Sequence, residues 1–276
     1  MVPAISLGIS PCPNDTFIFD AWVNGKLDKS APPVRCCLDD VSSLNEMAFN
    51  KTLDVAKVSF YAYGLVRDTY TLLNAGGALG RGCGPLLVAR SGLVTRETLA
   101  DPAVTIAVPG RWTTANLLLS LYQPEVKNRV FMSFEQIMPA VERGEVDAGV
   151  IIHEGRFTFP RYGLVMIKDL GAWWEGTTGL PIPLGAIIAK KNLGADMLSL
   201  VEATIRKSLS AARTNPDAPL AFMKKHAREM ERDVMRRHVE LYVNRHSLDY
   251  GKDGMEAIEH LLEKAEEKGL LRFRAS

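Results

Sequence analysis

Apolar and polar positions switch period repeatedly along this chain. "AISLGIS" (Ala4 to Ser10) reads as a short buried strand, and an apolar run with helical spacing follows from about Thr16 to Asn24. Asn14 or Asp15 is the expected cap of that helix and Gly25 its expected stop. "PVRCCLDD" is strand-like, "VSSLNEMAFN" is an amphipathic helix carrying Asn45, "LDVAKVSF" is a strand again, and "YAYGLVRDT" is a helix. This β-α-β-α alternation predicts an α/β protein with a largely parallel sheet.

A second block repeats the grammar. "AVTIAVPG" is a strand ending in a Pro-Gly turn, and "RWTTANLLLSLY" is a helix with Thr113 or Thr114 in its first turn. "NRVFMSF" is a strand, and "FEQIMPAVERGEVDAGVIIH" runs helix, turn, strand, breaking at Gly144 and ending at His153. "GPLLVAR" (Gly84 to Arg90) and "LGAIIAK" (Leu184 to Lys190) are similar apolar strands that bracket this block. They predict two α/β lobes joined by a double-stranded hinge, residues 1–88 with 190–276 forming the larger lobe and 89–189 the smaller. A ligand cleft is expected between the lobes, outside the carboxyl ends of the strands. From Leu193 on the pattern is mostly helical, including "APLAFMKKHAREM" and "DVMRRHVELYV".

Composition narrows the function classes. Among 276 residues, 33 Lys+Arg balance 32 Asp+Glu, so there is no electrostatic footprint for nucleic acid or an anionic membrane. The apolar runs break at Gly, Pro or charge before reaching spanning length. "MVPAISLGIS" lacks the basic flank and apolar stretch of a secretory leader. Cys12, Cys36, Cys37 and Cys83 show no Cys-x-x-Cys spacing. A cytoplasmic protein with reduced thiols is the expectation, and a homodimer is neither required nor excluded.

Candidate chemistry clusters where strands end. "SPCPND" (Ser10 to Asp15) is a proline-stiffened turn whose backbone N–H groups would suit an anionic or strongly polar ligand, with Ser10 and Asn14 as contacts; a plain capping turn is the alternative. His153 emerges from an apolar strand and is a candidate general base, or a structural histidine. "RWTTAN" offers hydroxyls and amides at a helix start, and "AKVSF" presents Lys57 and Ser59. No His-Glu-x-x-His zinc pattern occurs, since Phe157 stands in the last position, and no metal is expected. The glycine-dense "GGALGRGCG" fits no phosphate loop and reads as a flexible approach to the hinge. Cys36 and Cys37 read as core-packing residues on opposite faces of a strand, and His226, His238, His246 and His260 as surface residues. Trp173 and Trp174 read as core, with a place over the cleft mouth as the alternative.

Taken together, "SPCPNDTFIF", "GGALGRGCGPLLVAR", "PGRWTTAN", "VDAGVIIHEGRFTFPRYGL" and "DLGAWWEGTTGLPIPLGAI" resemble the 1,4-dihydroxy-6-naphthoate synthase family of the futalosine route to menaquinone. The resemblance implies a two-lobed fold like the type II periplasmic-binding proteins. It implies a cofactor-free carbon-carbon lyase whose small-molecule substrate is cyclic dehypoxanthine futalosine, with 1,4-dihydroxy-6-naphthoate and dihydroxyacetone as products. It also implies His153 as the proton-abstracting base, and substrate contacts at Lys57, Val58, Ser59, Thr114 and Ala115, with Asn45 reaching the cleft. Two other readings share the architecture: a non-catalytic carboxylate-binding protein and the sister chorismate dehydratase.

Overall fold

The computed structural model describes residues 4–227 and 231–271. The last three residues of the helix expected at Ala218 to Met230 lie outside them, as do the chain ends of the expected larger lobe. The first part of the chain forms β1 (Ile5–Ile9), α1 (Pro13–Val23), β2 (Val34–Leu38), α2 (Val41–Phe49), β3 (Val55–Ser59), α3 (Phe60–Val66) and β4 (Tyr70–Gly80). A second part follows: β5 (Leu86–Arg90), β6 (Ile106–Val108), α4 (Thr114–Tyr122), β7 (Arg129–Phe131), α5 (Phe134–Arg143), β8 (Ala148–Ile151), the single turn α6 (Gly155–Thr158), β9 (Leu164–Asp169) and α7 (Leu170–Thr178). The chain returns through β10 (Ile182–Lys190) and closes with α8 (Ala195–Thr214), α9 (Leu220–His226), α10 (Arg232–Tyr242) and α11 (Gly251–Glu267).

Two five-stranded sheets result, with orders β2-β1-β3-β10-β4 and β7-β6-β8-β5-β9. In each, four strands run in one direction and one, β10 or β5, inserts antiparallel beside the edge strand. The inserted strand is the one that has just crossed from the other lobe. β6 and β8 are buried along their whole length, which is why they are short apolar runs without alternation; β3 is equally buried but carries Lys57 and Ser59.

The strands in "GPLLVAR" and "LGAIIAK" therefore do not pair with each other as a hinge. β5 lies between β8 and β9, and β10 lies between β3 and β4. β5 lies wholly in one sheet and β10 wholly in the other, and the chain passes between the sheets in residues 81–85 and again through α7 and the residues 179–181 that follow it. At the crossing the two segments touch backbone to backbone. A Cβ on Gly84 would stand 2.2 Å from the Cα of Gly171. Arg81 donates to the Gly179 carbonyl at 2.7 Å, and the Gly82 N–H donates to Glu175 at 2.7 Å.

"GGALG" is not flexible: it forms the end of β4, the sheet-edge strand beside β10. Its glycines make room for neighbours, since a Cβ on Gly77 would fall 2.0 Å from the Tyr250 hydroxyl. Cys36 and Cys37 pack towards two different apolar clusters on opposite faces of β2. Trp174 is buried with its indole N–H on the Pro181 carbonyl at 3.1 Å, a core residue beside the crossing. No helix among the described residues is long and apolar enough to cross a membrane.

Candidate active site

β1 ends at Ile9 and the chain turns at once into α1. Cys12, not Asn14 or Asp15, is the N-cap residue, with extended φ −63° and ψ 149°, because Pro13 has its φ already set for the first helical position. The Cys12 carbonyl accepts from the N–H groups of Asp15 and Thr16, each at 3.1 Å, so the cysteine caps with its backbone and keeps its side chain available. Asn14 and Asp15 then fall inside the first turn, fully buried.

Burying a carboxylate demands partners, and Asp15 has four. It accepts from the Ser10 N–H at 3.1 Å, the Ser10 hydroxyl at 2.7 Å, the Asn14 amide at 2.8 Å and the Lys57 ammonium at 2.6 Å. Pro11 and Pro13 have no N–H to offer. The anion held at the start of α1 is thus the protein's own carboxylate, where an external one was expected.

β3 alternates its side chains between two environments. Lys57 and Ser59 face the cleft, while Ala56 and Val58 pack into the core. Gly185 on the neighbouring β10 leaves the space Lys57 needs, since a Cβ there would stand 2.7 Å from the lysine Cε. Asn45 of α2 sits one layer behind. Its amide oxygen accepts the Ser59 N–H at 2.9 Å and its amide nitrogen donates to the Ser59 hydroxyl oxygen at 3.2 Å. Held this way, Ser59 keeps its own hydroxyl proton for a ligand.

The smaller lobe contributes the start of α4. Thr113 caps it by accepting the Asn116 N–H at 3.3 Å. Thr114 spends its hydroxyl proton on the Leu184 carbonyl of the larger lobe at 2.8 Å. What α4 offers a ligand is therefore the N–H groups of Thr114 and Ala115 at its first turn, together with the positive end of its dipole.

His153 closes the site. It lies two residues beyond the end of β8 and has φ +55°; it and Lys51 are the two non-glycine residues with positive φ among the described residues. Such backbone is held only where surroundings fix it. Its half-buried ring meets three groups: Cys12 Sγ lies 3.4 Å from Nδ1, Phe134 packs at 5.0 Å between centroids, and His238 stacks at 6.1 Å with planes 10° apart. Desolvation lowers the imidazole pKa to about 4, with Asp15 opposing and Lys57 assisting, so the ring is neutral at pH 7.

His238 and His246 are not surface residues. His238 is wholly buried on the face of α10 that carries Val234, Met235 and Tyr242, and its Nε2–H donates to Asn14 Oδ1 at 2.9 Å. Burial holds its pKa well below the ordinary value. His246 is buried with Nδ1–H on the Tyr250 carbonyl at 2.9 Å.

Ser10, Asn14, Lys57, Ser59, Thr114, Ala115 and His153 all line one cleft of about 630 Å³, counting its open mouth. Val58 and Asn45 do not line it. Tyr242, Cys83 and Leu184 do, and none of these three was read from the sequence as a site residue. The i, i+4 spacing of Val234, His238 and Tyr242 was the available signal for the α10 face. Among the described residues no group of three or more His, Cys, Asp or Glu is arranged to hold a metal ion.

The comparisons with known proteins agree on family and fold. The sequence profile of a family described as "Menaquinone biosynthesis" matches residues 5–267. A 1,4-dihydroxy-6-naphthoate synthase of Thermus thermophilus is 49% identical over 267 residues, covering 97% of this chain and 96% of its own. A crystal structure of a protein from Archaeoglobus fulgidus is similar with a TM-score of 0.89 at 36% identity, covering 97% and 98% of the two chains. An alkanesulfonate-binding protein from Xanthomonas axonopodis, bound to MOPS, shares the fold with a TM-score of 0.72 at 12% identity, covering 99% and 96%.

Proposed function

The chain belongs to the menaquinone-biosynthesis family, and from that premise we propose that it cleaves cyclic dehypoxanthine futalosine into 1,4-dihydroxy-6-naphthoate and dihydroxyacetone in the cytoplasm, with His153 as general base. The observation that carries the base assignment is the position of His153. It stands at the carboxyl end of β8 in a conformation few side chains adopt, on the cleft wall, with a neutral imidazole. A carbon-carbon cleavage without redox change needs a proton acceptor that is unprotonated at neutral pH, and a desolvated imidazole is one.

Substrate binding divides between the lobes. The Ser59 hydroxyl, fixed by Asn45, and the Thr114 and Ala115 N–H groups at the start of α4 supply donors for the aromatic carboxylate. Lys57 neutralises Asp15 first, and adds positive charge to the cleft wall only as part of that pair. Ser10 and Asn14 present their remaining polar atoms at the turn. With donors on both lobes and Thr114 already bonded to Leu184 across them, a closed arrangement excludes water while the base works.

Product analysis tests this reading. The purified protein is given cyclic dehypoxanthine futalosine, and naphthoate and dihydroxyacetone are expected in equal amounts. Binding without turnover would favour a carboxylate-binding protein, and dehydration of chorismate would favour the sister enzyme.

A further inference from the structure

The turn before α1 brings the Cys12 sulfur to His153 across the cleft between the lobes. Cys12 belongs to the larger lobe and His153 to the smaller, 141 positions apart in sequence, yet Sγ and Nδ1 lie 3.4 Å apart. We propose that Cys12 is the positioning residue of His153: its sulfur accepts the Nδ1–H, leaving Nε2 with the lone pair that takes up a proton. This rests on His153 being the base.

The hydrogen-bond directions around the turn support that tautomer. Asp15 is an acceptor only, so the Ser10 hydroxyl spends its proton there at 2.7 Å. The Ser10 oxygen keeps its lone pairs, and the Cys12 sulfur can accept from Nδ1 at 3.4 Å. In that row Nδ1–H donates to sulfur and, separately, the Ser10 hydroxyl donates to Asp15. Reversing the row, with S–H donating to Nδ1, would put the imidazole proton on Nε2 and block that atom as a base.

The thiol is suited to this task because it stays neutral. Cys12 is 5% exposed, and burial, with the carboxylates of Glu154 and Asp15 nearby, pushes its pKa well above the ordinary thiol value. A neutral partner orients the ring without turning it into a stable imidazolium, unlike the carboxylate that holds the histidine of a Ser-His-Asp triad. The charged groups facing the pair are Asp15, Lys57, Asp40 and Glu154.

A second contact from the same lobe fixes the ring plane. His238 lies parallel to His153 at 6.1 Å and is itself pinned through Nε2–H on Asn14 Oδ1. Asn14 can face only that way, because its amide nitrogen donates to Asp15 at 2.8 Å. The base is thus aligned by the lobe opposite to the one that carries it.

The test reads the tautomer directly, by nitrogen-15 NMR of histidine-labelled protein, beside steady-state kinetics of Cys12→Ala, Cys12→Ser and His153→Gln. The wild type is expected to show His153 protonated at Nδ1 and bare at Nε2 near neutral pH. Cys12→Ala is expected to mix the tautomers and lower kcat about 10-fold with KM nearly unchanged, and Cys12→Ser to restore most of both. Wild-type His153 protonated at Nε2, or a Cys12→Ala protein with unchanged tautomer and kcat, would overturn the role of Cys12 alone. Full turnover by His153→Gln would overturn the base assignment, and the role of Cys12 with it.

Discussion

Lys57 and Asp15 meet at 2.6 Å with both side chains buried, tying the middle of the larger sheet to the first turn of α1. The pair sits under the cleft floor, and Ser10, Asn14 and, through Asn14, His238 all depend on it. Removing one partner leaves a buried charge uncompensated. Lys57→Met is expected to destabilise the fold by about 3–5 kcal/mol, and Lys57→Met with Asp15→Asn to recover much of that. Urea unfolding of both variants checks it; a single variant as stable as the wild type would contradict it.

The lowered pKa of His153 predicts an unusual pH profile. Its folded value of about 4 lies below the ordinary value of 6.5, so the base is neutral from about pH 5 upward and is lost only as pH falls through about 4. The rate constant kcat/KM is expected to stay flat between pH 7 and 5 on its acidic side. A limb centred near 6.5 would show an ordinary, solvated imidazole instead.

The same shift affects stability. Below about pH 6.5 the unfolded chain takes up a proton at His153 that the folded chain refuses until about pH 4. Its contribution is complete above 6.5 and is lost as pH falls through that window, and His238 acts in the same direction. The thermal midpoint of His153→Gln is expected to fall less steeply than that of the wild type between pH 6.5 and 4.

Asn45 holds Ser59 by two hydrogen bonds without lining the cleft. Asn45→Ala is expected to raise KM by about 10-fold with a smaller effect on kcat, because the Ser59 donor loses its aim. Steady-state kinetics separate the two constants.

The Gly84–Gly171 contact leaves no room for a methyl group at the crossing between the lobes. Gly84→Ala is expected to lower the thermal midpoint markedly, since backbone rather than a flexible side chain stands in the way. A neutral substitution there would mean that the crossing segments can separate at little cost.

Much of the fold was legible because parallel strands buried on both faces leave short apolar runs, and those runs mark β1, β6 and β8 correctly, while β3 was read from "LDVAKVSF" despite its Lys57 and Ser59. β4 was not, because three glycines in its last five residues argue against a strand locally. Tertiary packing overrides that preference, since Tyr250 and Asn244 occupy the space where side chains would be. The strands β5 and β10 were recognised as alike, but sequence cannot say that each inserts into its own sheet. At the site, His153 and the helix start at Thr114 stood out because they end apolar runs. Cys12 and His238 did not, because each acquires its meaning from a residue on a distant element. The turn that opens α1 is constrained because it presents Cys12, Asn14 and Asp15 in three fixed directions.

The most direct test of the account is the turnover number of His153→Gln on cyclic dehypoxanthine futalosine, measured beside the wild type with folding checked by thermal unfolding. The account predicts a folded variant whose kcat is lower by about 10²–10⁴ while substrate affinity is retained. A folded variant with wild-type kcat would show that another group takes the proton.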